Sequence, residues 1–241
     1  MTTEIVTKDC VKRLLSDIKE IIKNPLNDHG IFYKHDEENM LKGYVLINPR
    51  EGSPYSYGYF FFILYFPPNY PYVPPKAKFV TNNGKTRFHP NYYINGKVCL
   101  SLLNTWRGEE WSSCNTISSI LLHMASIFTN KALLHEPGVR ENNPAVEYYD
   151  ICVEFQTMKT AILNVYNNRD TEKYLGLPKM FKDIIEETMI LNKKEIFKLL
   201  DKRRKEHPKP TTIITFYRIE EYIDYESLVS DYSVFLNYLD N

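Results

Sequence analysis

Phe88-His89-Pro90-Asn91-Tyr92-Tyr93-Ile94-Asn95-Gly96-Lys97-Val98-Cys99-Leu100 is the stretch on which the reading of this chain turns. Pro90 fixes its own φ and biases His89 towards an extended conformation, so the chain turns at a defined place. Asn95-Gly96 is a pair tolerant of positive φ, which brings Cys99 back alongside Asn91, eight positions earlier. A thiol is thereby held beside an amide side chain that can donate to an oxyanion. Taken alone, a cysteine between Val98 and Leu100 reads as a small buried hydrophobe. Its neighbours are what make it a candidate nucleophile. A zinc site is not expected, because Cys10, Cys99, Cys114 and Cys152 contain no Cys-x-x-Cys pair.

Upstream, Val11, Leu14, Leu15, Ile18, Ile21 and Ile22 recur at helical spacing, with Thr7 as cap and Asn24-Pro25 as stop. Ile31 to Tyr33, Leu41 to Ile47 and Tyr59 to Phe66 read as strands. Turn residues Asn48-Pro49, Glu51-Gly52-Ser53-Pro54 and Gly58 separate them, which suits an antiparallel meander. Phe66-Pro67-Pro68-Asn69-Tyr70-Pro71-Tyr72-Val73-Pro74-Pro75 forms a stiff surface loop, since proline supplies no ladder donor, and Lys76 to Val80 adds a fourth strand.

Downstream, Ile117, Ile120, Leu121, Met124 and Phe128 make a helical stripe capped near Asn115 or Thr116, with His123 off that stripe and not expected to be catalytic. Pro144 opens a helix capped by Asn143 and expected to run to about Val165, with Tyr148, Cys152, Phe155 and Ile162 on one stripe. Phe181, Ile184, Ile185, Met189, Ile196, Leu199 and Leu200 predict one or two further helices. Lys202-Arg203-Arg204-Lys205 reads as a solvated helix end, where cations oppose the negative dipole, rather than as a nucleic-acid contact. After Pro208-Lys209-Pro210, Thr211 to Tyr217 reads as a strand. Asp224 caps a last helix bearing Leu228, Val229, Tyr232, Phe235, Leu236 and Leu239, whose apolar face requires a partner.

His89-Pro90-Asn91, a loop ending in Gly96 and then Val98-Cys99-Leu100 closely resembles the signature of the ubiquitin-conjugating enzymes, with the same step from Asn to the active cysteine. Phe66 to Phe79 resembles the same family's Phe-Pro-x-x-Tyr-Pro-x-x-Pro-Pro block. His135-Glu136-Pro137-Gly138 resembles its active-site gate, where an acid, commonly Asp, precedes a proline. The long Asn104-Thr105-Trp106-Arg107-Gly108 loop and Asp224-Tyr225-Glu226-Ser227-Leu228 resemble a subgroup of larger members, including the one dedicated to the second ubiquitin-activating enzyme. That long loop is open to two readings, a contact for the modifier or activating enzyme, or a rim that packs Trp106. The resemblance implies an α+β ubiquitin-conjugating-enzyme fold: a four-stranded antiparallel meander sheet with an N-terminal helix and following helices, plus a C-terminal mostly helical extension. The expected division is a catalytic core over 1–167 and an extension over 168–241 docked on it.

A carrier reaction follows from the resemblance. Cys99 would accept ubiquitin or a ubiquitin-like modifier as a thioester from an activating enzyme and pass it to a lysine or to a ligase cysteine. Asn91 would support the oxyanion or its loop, and Glu136 would stand near the entering amine. ATP belongs to the activating enzyme, so no cofactor is expected here. The implied partners are the modifier, the activating enzyme and a RING or HECT-type ligase. Lys12 and Arg13 occupy a place where family members meet the activating enzyme, although a solvated helix face fits as well. Phe66 and Trp111-Ser112 match the ligase-docking edge. Two residues depart from the pattern. Ser112-Ser113-Cys114 replaces Ser-Pro-Ala, which predicts a looser loop and weakens the case for RING docking, and Ser101 stands where many members have Asp. The alternative is a catalytically silent, conjugating-enzyme-like ubiquitin-binding module, which would keep the fold and lose the cysteine. A papain-like hydrolase is disfavoured because nothing near Cys99 resembles that family's cysteine box.

The bulk composition agrees with this reading. At 241 residues the chain is long for one small domain and short for two, and 43% hydrophobic residues suffice for a sizeable core. Thirty basic residues balance thirty acidic ones, so no global field attracts nucleic acid. Four cysteines without a framework predict a reducing, intracellular setting, cytoplasmic or nuclear. Met1-Thr2-Thr3-Glu4 carries no secretory pattern, and the longest apolar run, Tyr59 to Pro68, is too short to span a bilayer.

Overall fold

A computed structural model describes residues 5–239, with side chains described as far as Ser233. Four strands, β1 (Ile31–His35), β2 (Lys42–Ile47), β3 (Phe60–Tyr65) and β4 (Lys76–Phe79), form an antiparallel meander in sequence order. Val45 faces Phe62 across β2 and β3, and Phe62 faces Phe79 across β3 and β4. Ahead of the sheet lies α1 (Lys8–Lys23), capped by the Thr7 hydroxyl, which accepts from the Cys10 N–H at 3.1 Å. After the sheet in sequence comes α2 (Ile117–Ser126), where Thr116 and Ser119 form a reciprocal capping box.

Strand alternation explains the two cores. Val45, Ile47, Phe60, Phe62, Leu64 and Phe79 point to one face and pack with Leu14 of α1 and Ile117, Ile120, Leu121 and Met124 of α2. Leu46, Tyr59, Phe61 and Ile63 point the other way. They meet Cys152, Phe155 and Ile162 from α3 (Ala145–Gln156) and its continuation, together with Phe181, Ile185 and Met189 from the C-terminal segment. β3 is therefore apolar along its length because both of its faces are covered, and only Tyr65 emerges.

Asn143 Oδ1 accepts from the Ala145 N–H at 2.9 Å, so α3 begins where the Asn143-Pro144 pair predicts. Two details of this helix differ from expectation. Tyr148 is 52% exposed, and Tyr149 is the buried member, its hydroxyl donating to the Arg87 carbonyl at 2.6 Å. Beyond Gln156 the helix widens into a π-helical stretch, Thr157–Asn164, before a last turn to Asn167. Such widening shifts the stripe, so a constant helical period fails to place all of its buried positions.

In the C-terminal segment the helical stripe forms one long helix, α4 (Lys182–Glu206), followed by a hairpin of β5 (Thr211–Ile214) and β6 (Glu220–Ile223) and then α5 (Tyr225–Leu239). The Ser227 N–H donates to Asp224 Oδ1 at 3.0 Å, confirming Asp224 at the start of α5. Phe235, Leu236 and Leu239 lie outside the described side chains. The strand expected to reach Tyr217 ends at Ile214, because Thr215 to Ile219 turns, with Arg218 in the left-handed region. The basic run is not wholly solvated. Arg203 turns back onto α3, pairing with the buried Glu154 and donating from Nη2 to Oε1 at 3.0 Å. A buried carboxylate needs such a partner, and this outweighs the solvation of a helix end. Further clasps are the Tyr59 hydroxyl to the Ile185 carbonyl at 3.1 Å and the Tyr232 hydroxyl to the Met158 carbonyl at 2.7 Å.

Candidate active site

The segment 88–100 is fastened to the edge of the sheet. The Phe79 N–H donates to the Gly96 carbonyl at 2.8 Å, and Gly96 sits at φ 88, where a Cβ would stand 2.9 Å from the Phe79 carbonyl oxygen. Only glycine fits both the conformation and the gap. The turn returns the chain as predicted. The Cys99 N–H donates to the Asn91 carbonyl at 2.9 Å, and Asn91 Nδ2 donates to the Cys99 carbonyl at 2.6 Å. Asn91 is 6% exposed, so this amide is a buried clasp across the loop. The Asn91 N–H donates in turn to His89 Nδ1 at 3.0 Å. Burial, with His135 as a lesser cause, holds His89 well below the usual histidine range, so it remains a neutral acceptor. The neighbouring Tyr92 hydroxyl reaches the Met124 carbonyl on α2 at 2.7 Å.

Thr105 completes the frame around the thiol. Its hydroxyl accepts from the Leu100 N–H at 2.9 Å and donates to the Val98 carbonyl at 3.0 Å, bridging the residues on either side of Cys99. The long 104–108 loop thus contributes to the site through Thr105, while Trp106 stays exposed. Sequence reading singled out Trp106 and missed Thr105. A threonine inside the loop that follows the nucleophile was the available signal.

Cys99 is 1% exposed. The other thiols divide clearly. Burial pushes Cys152 up to about 12, with Glu221 adding to the shift, and burial also raises Cys10. Neither supplies much thiolate near neutral pH. Cys114 is exposed and stands in the loop after Trp111, its N–H donating to the Ser112 hydroxyl at 3.3 Å.

Glu136 follows the short helical turn Ala132–His135 and joins a cluster rather than facing open solvent. Its Oε2 accepts from the Tyr217 hydroxyl at 2.6 Å and lies 3.7 Å from Arg87 Nη2. The Arg87 guanidinium is stacked between the Tyr93 and Tyr217 rings, 3.9 and 4.2 Å from their centroids. Arg87 immediately precedes the Cys99 segment and Tyr93 lies within it, so Glu136 is tied to it through side chains. The His89 and His135 rings, 5.0 Å apart, bring the same two pieces together. Asn91 and Cys99 therefore touch directly, whereas Glu136 reaches their loop through Arg87. Arg87 and Tyr217 were not legible in sequence, because 81 positions separate Tyr217 from Glu136 and no local pattern links them.

At the expected ligase edge, Phe66 and Tyr70 are buried, and Trp111 Nε1 donates to the Pro71 carbonyl at 2.6 Å. The Ser112-Ser113-Cys114 loop is not loose. Arg13 clamps it by donating to the Ser113 and Asn115 carbonyls, and buried Asp17 holds Arg13 at 2.8 Å while accepting from the Tyr70 hydroxyl. Arg13 is accordingly an internal strut. Of the two basic residues proposed for α1's partner face, Lys12 alone remains solvated.

A meander sheet flanked by α1 and α2, a proline block buttressing its edge and a cysteine clasped to the asparagine of His-Pro-Asn define a class. The family model described as ubiquitin-conjugating enzyme matches residues 13–158. The chain belongs to the ubiquitin-conjugating enzyme family. It is similar to ubiquitin-conjugating enzyme E2 Z of Danio rerio, 37% identical over 169 residues, covering 69% of this chain and 51% of the relative. The Homo sapiens E2 Z is likewise 37% identical over 169 residues, covering 69% and 47%. The dual E2 ubiquitin-conjugating enzyme/E3 ubiquitin-protein ligase BIRC6 of Homo sapiens is 33% identical over 179 residues, covering 69% of this chain and 4% of the relative. The chain spans about half the length of the E2 Z relatives it matches.

Proposed function

We propose that this chain carries ubiquitin or a ubiquitin-like modifier as a thioester on Cys99, accepting it from an activating enzyme and passing it to a lysine or to a ligase cysteine. The observation that carries the reading is the reciprocal clasp between Asn91 and Cys99. It fixes the backbone on which the thiol stands. Loading is exchange between thioesters: Cys99 Sγ bonds to the modifier's carbonyl carbon, the donor C–S bond breaks, and the departing thiolate takes up the proton lost by Cys99. The exchange is near thermoneutral and needs only a modest thiolate fraction, so a dedicated base is not required. Discharge to lysine is harder, because the amine is mostly protonated at neutral pH. A lysine ammonium gives one proton to solvent, and the free amine forms the C–N bond through an oxyanion. The C–S bond then breaks, and the Cys99 thiolate takes up the second amine proton.

In this reading Asn91 holds the loop against the charge that builds during amine attack, and the Glu136 carboxylate stands where the amine enters. The carrier unit extends over 1–167, and the segment 168–241 serves it as a docked buttress. The four unlinked thiols favour a reducing compartment, in the cytoplasm or nucleus.

The test is a charging assay with ubiquitin, activating enzyme and ATP. A reductant-sensitive adduct is expected on the native chain, a reductant-resistant oxyester or no adduct on Cys99→Ser, and none on Cys99→Ala. A reductant-sensitive adduct on Cys99→Ala would move the nucleophile to another thiol and sink the assignment.

A further inference from the structure

The hairpin turn Thr215–Ile219 reaches Glu136, to which the Tyr217 hydroxyl donates at 2.6 Å. Its neighbour Phe216 points outward and is 42% exposed, as a turn residue normally would be, whereas Tyr217 is tucked inward against Tyr149, with ring centroids 5.9 Å apart. The turn is held in place on both sides. The Thr215 N–H donates to the Ile219 carbonyl at 2.9 Å, and the Arg218 N–H donates to the Thr215 carbonyl at 2.9 Å. On β6, the buried Glu221 accepts from the Thr86 hydroxyl at 2.5 Å and from Gln156 Nε2 at 2.8 Å. Thr86 immediately precedes Arg87, so the anchor of the hairpin and the cation beside Glu136 sit on consecutive residues.

The Glu136 carboxylate is held through one of its two oxygens. Oε2 takes the Tyr217 hydroxyl and faces Arg87, while Oε1 makes no hydrogen bond among the described residues. Burial, then the bond to Glu136, raises the Tyr217 phenol, so it stays protonated and donates. We propose that Tyr217 is a positioning residue for discharge to lysine: by holding Oε2 of Glu136 it turns Oε1 towards the entering amine. This rests on the carrier reading above and adds that the C-terminal hairpin takes part in choosing a nitrogen acceptor. A thiol acceptor has no ammonium group for a carboxylate to receive, so the contact bears on lysine alone.

Tyr217→Phe removes the hydroxyl and keeps the ring between Arg87 and Tyr149. The experiment loads the full chain with ubiquitin, purifies the thioester and follows single-turnover discharge to free lysine and to free cysteine, with the rate of charging as a control for folding. Discharge to lysine is expected to slow by roughly tenfold, the scale of one hydrogen bond to a charged group, with discharge to cysteine and charging within about twofold of the native chain. In a Glu136→Gln background, Tyr217→Phe is expected to add nothing further, because the two side chains act as one unit. Native lysine discharge by Tyr217→Phe, equal slowing towards lysine and cysteine, or a full additional loss in Glu136→Gln would each overturn the proposal. A native chain that discharges only to cysteine would overturn it too. A native chain that forms no thioester overturns the carrier reading itself, and the missing adduct tells that outcome apart from the others.

Discussion

Asn91→Ala removes the donor from a buried carbonyl. In the native chain Asn91 Nδ2 lies 2.6 Å from the Cys99 oxygen, and Asn91 is 6% exposed, so water does not readily replace the lost amide. Leaving a buried acceptor unpaired costs about 1–3 kcal/mol. In a chain of this size 1 kcal/mol moves the melting temperature by about 2–4 °C, which predicts a fall of roughly 2–12 °C. Asn91→Asp is expected to be worse, because it sets a carboxylate oxygen against the Cys99 carbonyl at the same short distance. Charging by the activating enzyme should persist at a reduced rate. Discharge to lysine should fall further, since amine attack builds an oxyanion on the loop that the clasp holds. Thermal melts and single-turnover charging and discharge, run on both variants, separate the contributions. An oxyanion donor that touches the charge directly is worth about 10²–10³-fold in rate. A loss of that size with an unchanged melting temperature would show that Nδ2 leaves the Cys99 carbonyl during reaction, and would refute the clasp as its main role.

Two further outcomes concern the scaffold. Because burial holds His89 well below the ordinary histidine value, the unfolded chain binds one proton more than the folded chain as pH drops below about 6.5. This contribution to stability is complete above that pH and is lost on acidification, by up to about 1.4 kcal/mol per pH unit. His89→Asn keeps an acceptor for the Asn91 N–H and should flatten the difference between melts at about pH 7.5 and 5.5; equal pH slopes for the two proteins would contradict the assignment. Truncation after residue 167 removes Phe181, Ile185 and Met189 from the core on the second face of the sheet, where Phe61 meets Phe181 and Tyr59 bonds to Ile185, and the shortened chain should aggregate or melt earlier. A monomer with native melting temperature and native charging would mean that the C-terminal segment does not support the core.

Local chemistry in the sequence determined the meander, the proline block and the pairing of Cys99 with Asn91. Pro90 and Asn95-Gly96 act over a few residues, and strand alternation and turn chemistry need no distant partner. The uninterrupted apolar run through β3 likewise announced a buried strand. Which elements covered its second face was a tertiary matter, settled by Phe181, Ile185 and Met189 from more than a hundred positions away. Thr105 acts locally, bridging Val98 and Leu100, whereas Arg13, Arg203 and Tyr149 took roles that distant partners decided. Arg13 became a strut and not a solvated cation because the Ser113 and Asn115 carbonyls converge on it, and Arg203 turned inward because a buried Glu154 required a partner. Tyr148 and Tyr149 are adjacent and both aromatic, so only the packing around α3 and its π-helical continuation could decide which of them was buried. Resemblance to the family gives Glu136 the expected role of a gate carboxylate, and the fold surrounds it with Arg87 and Tyr217. A carboxylate's partners are chosen by proximity in space, and a separation of 81 positions leaves no trace of that choice in local pattern.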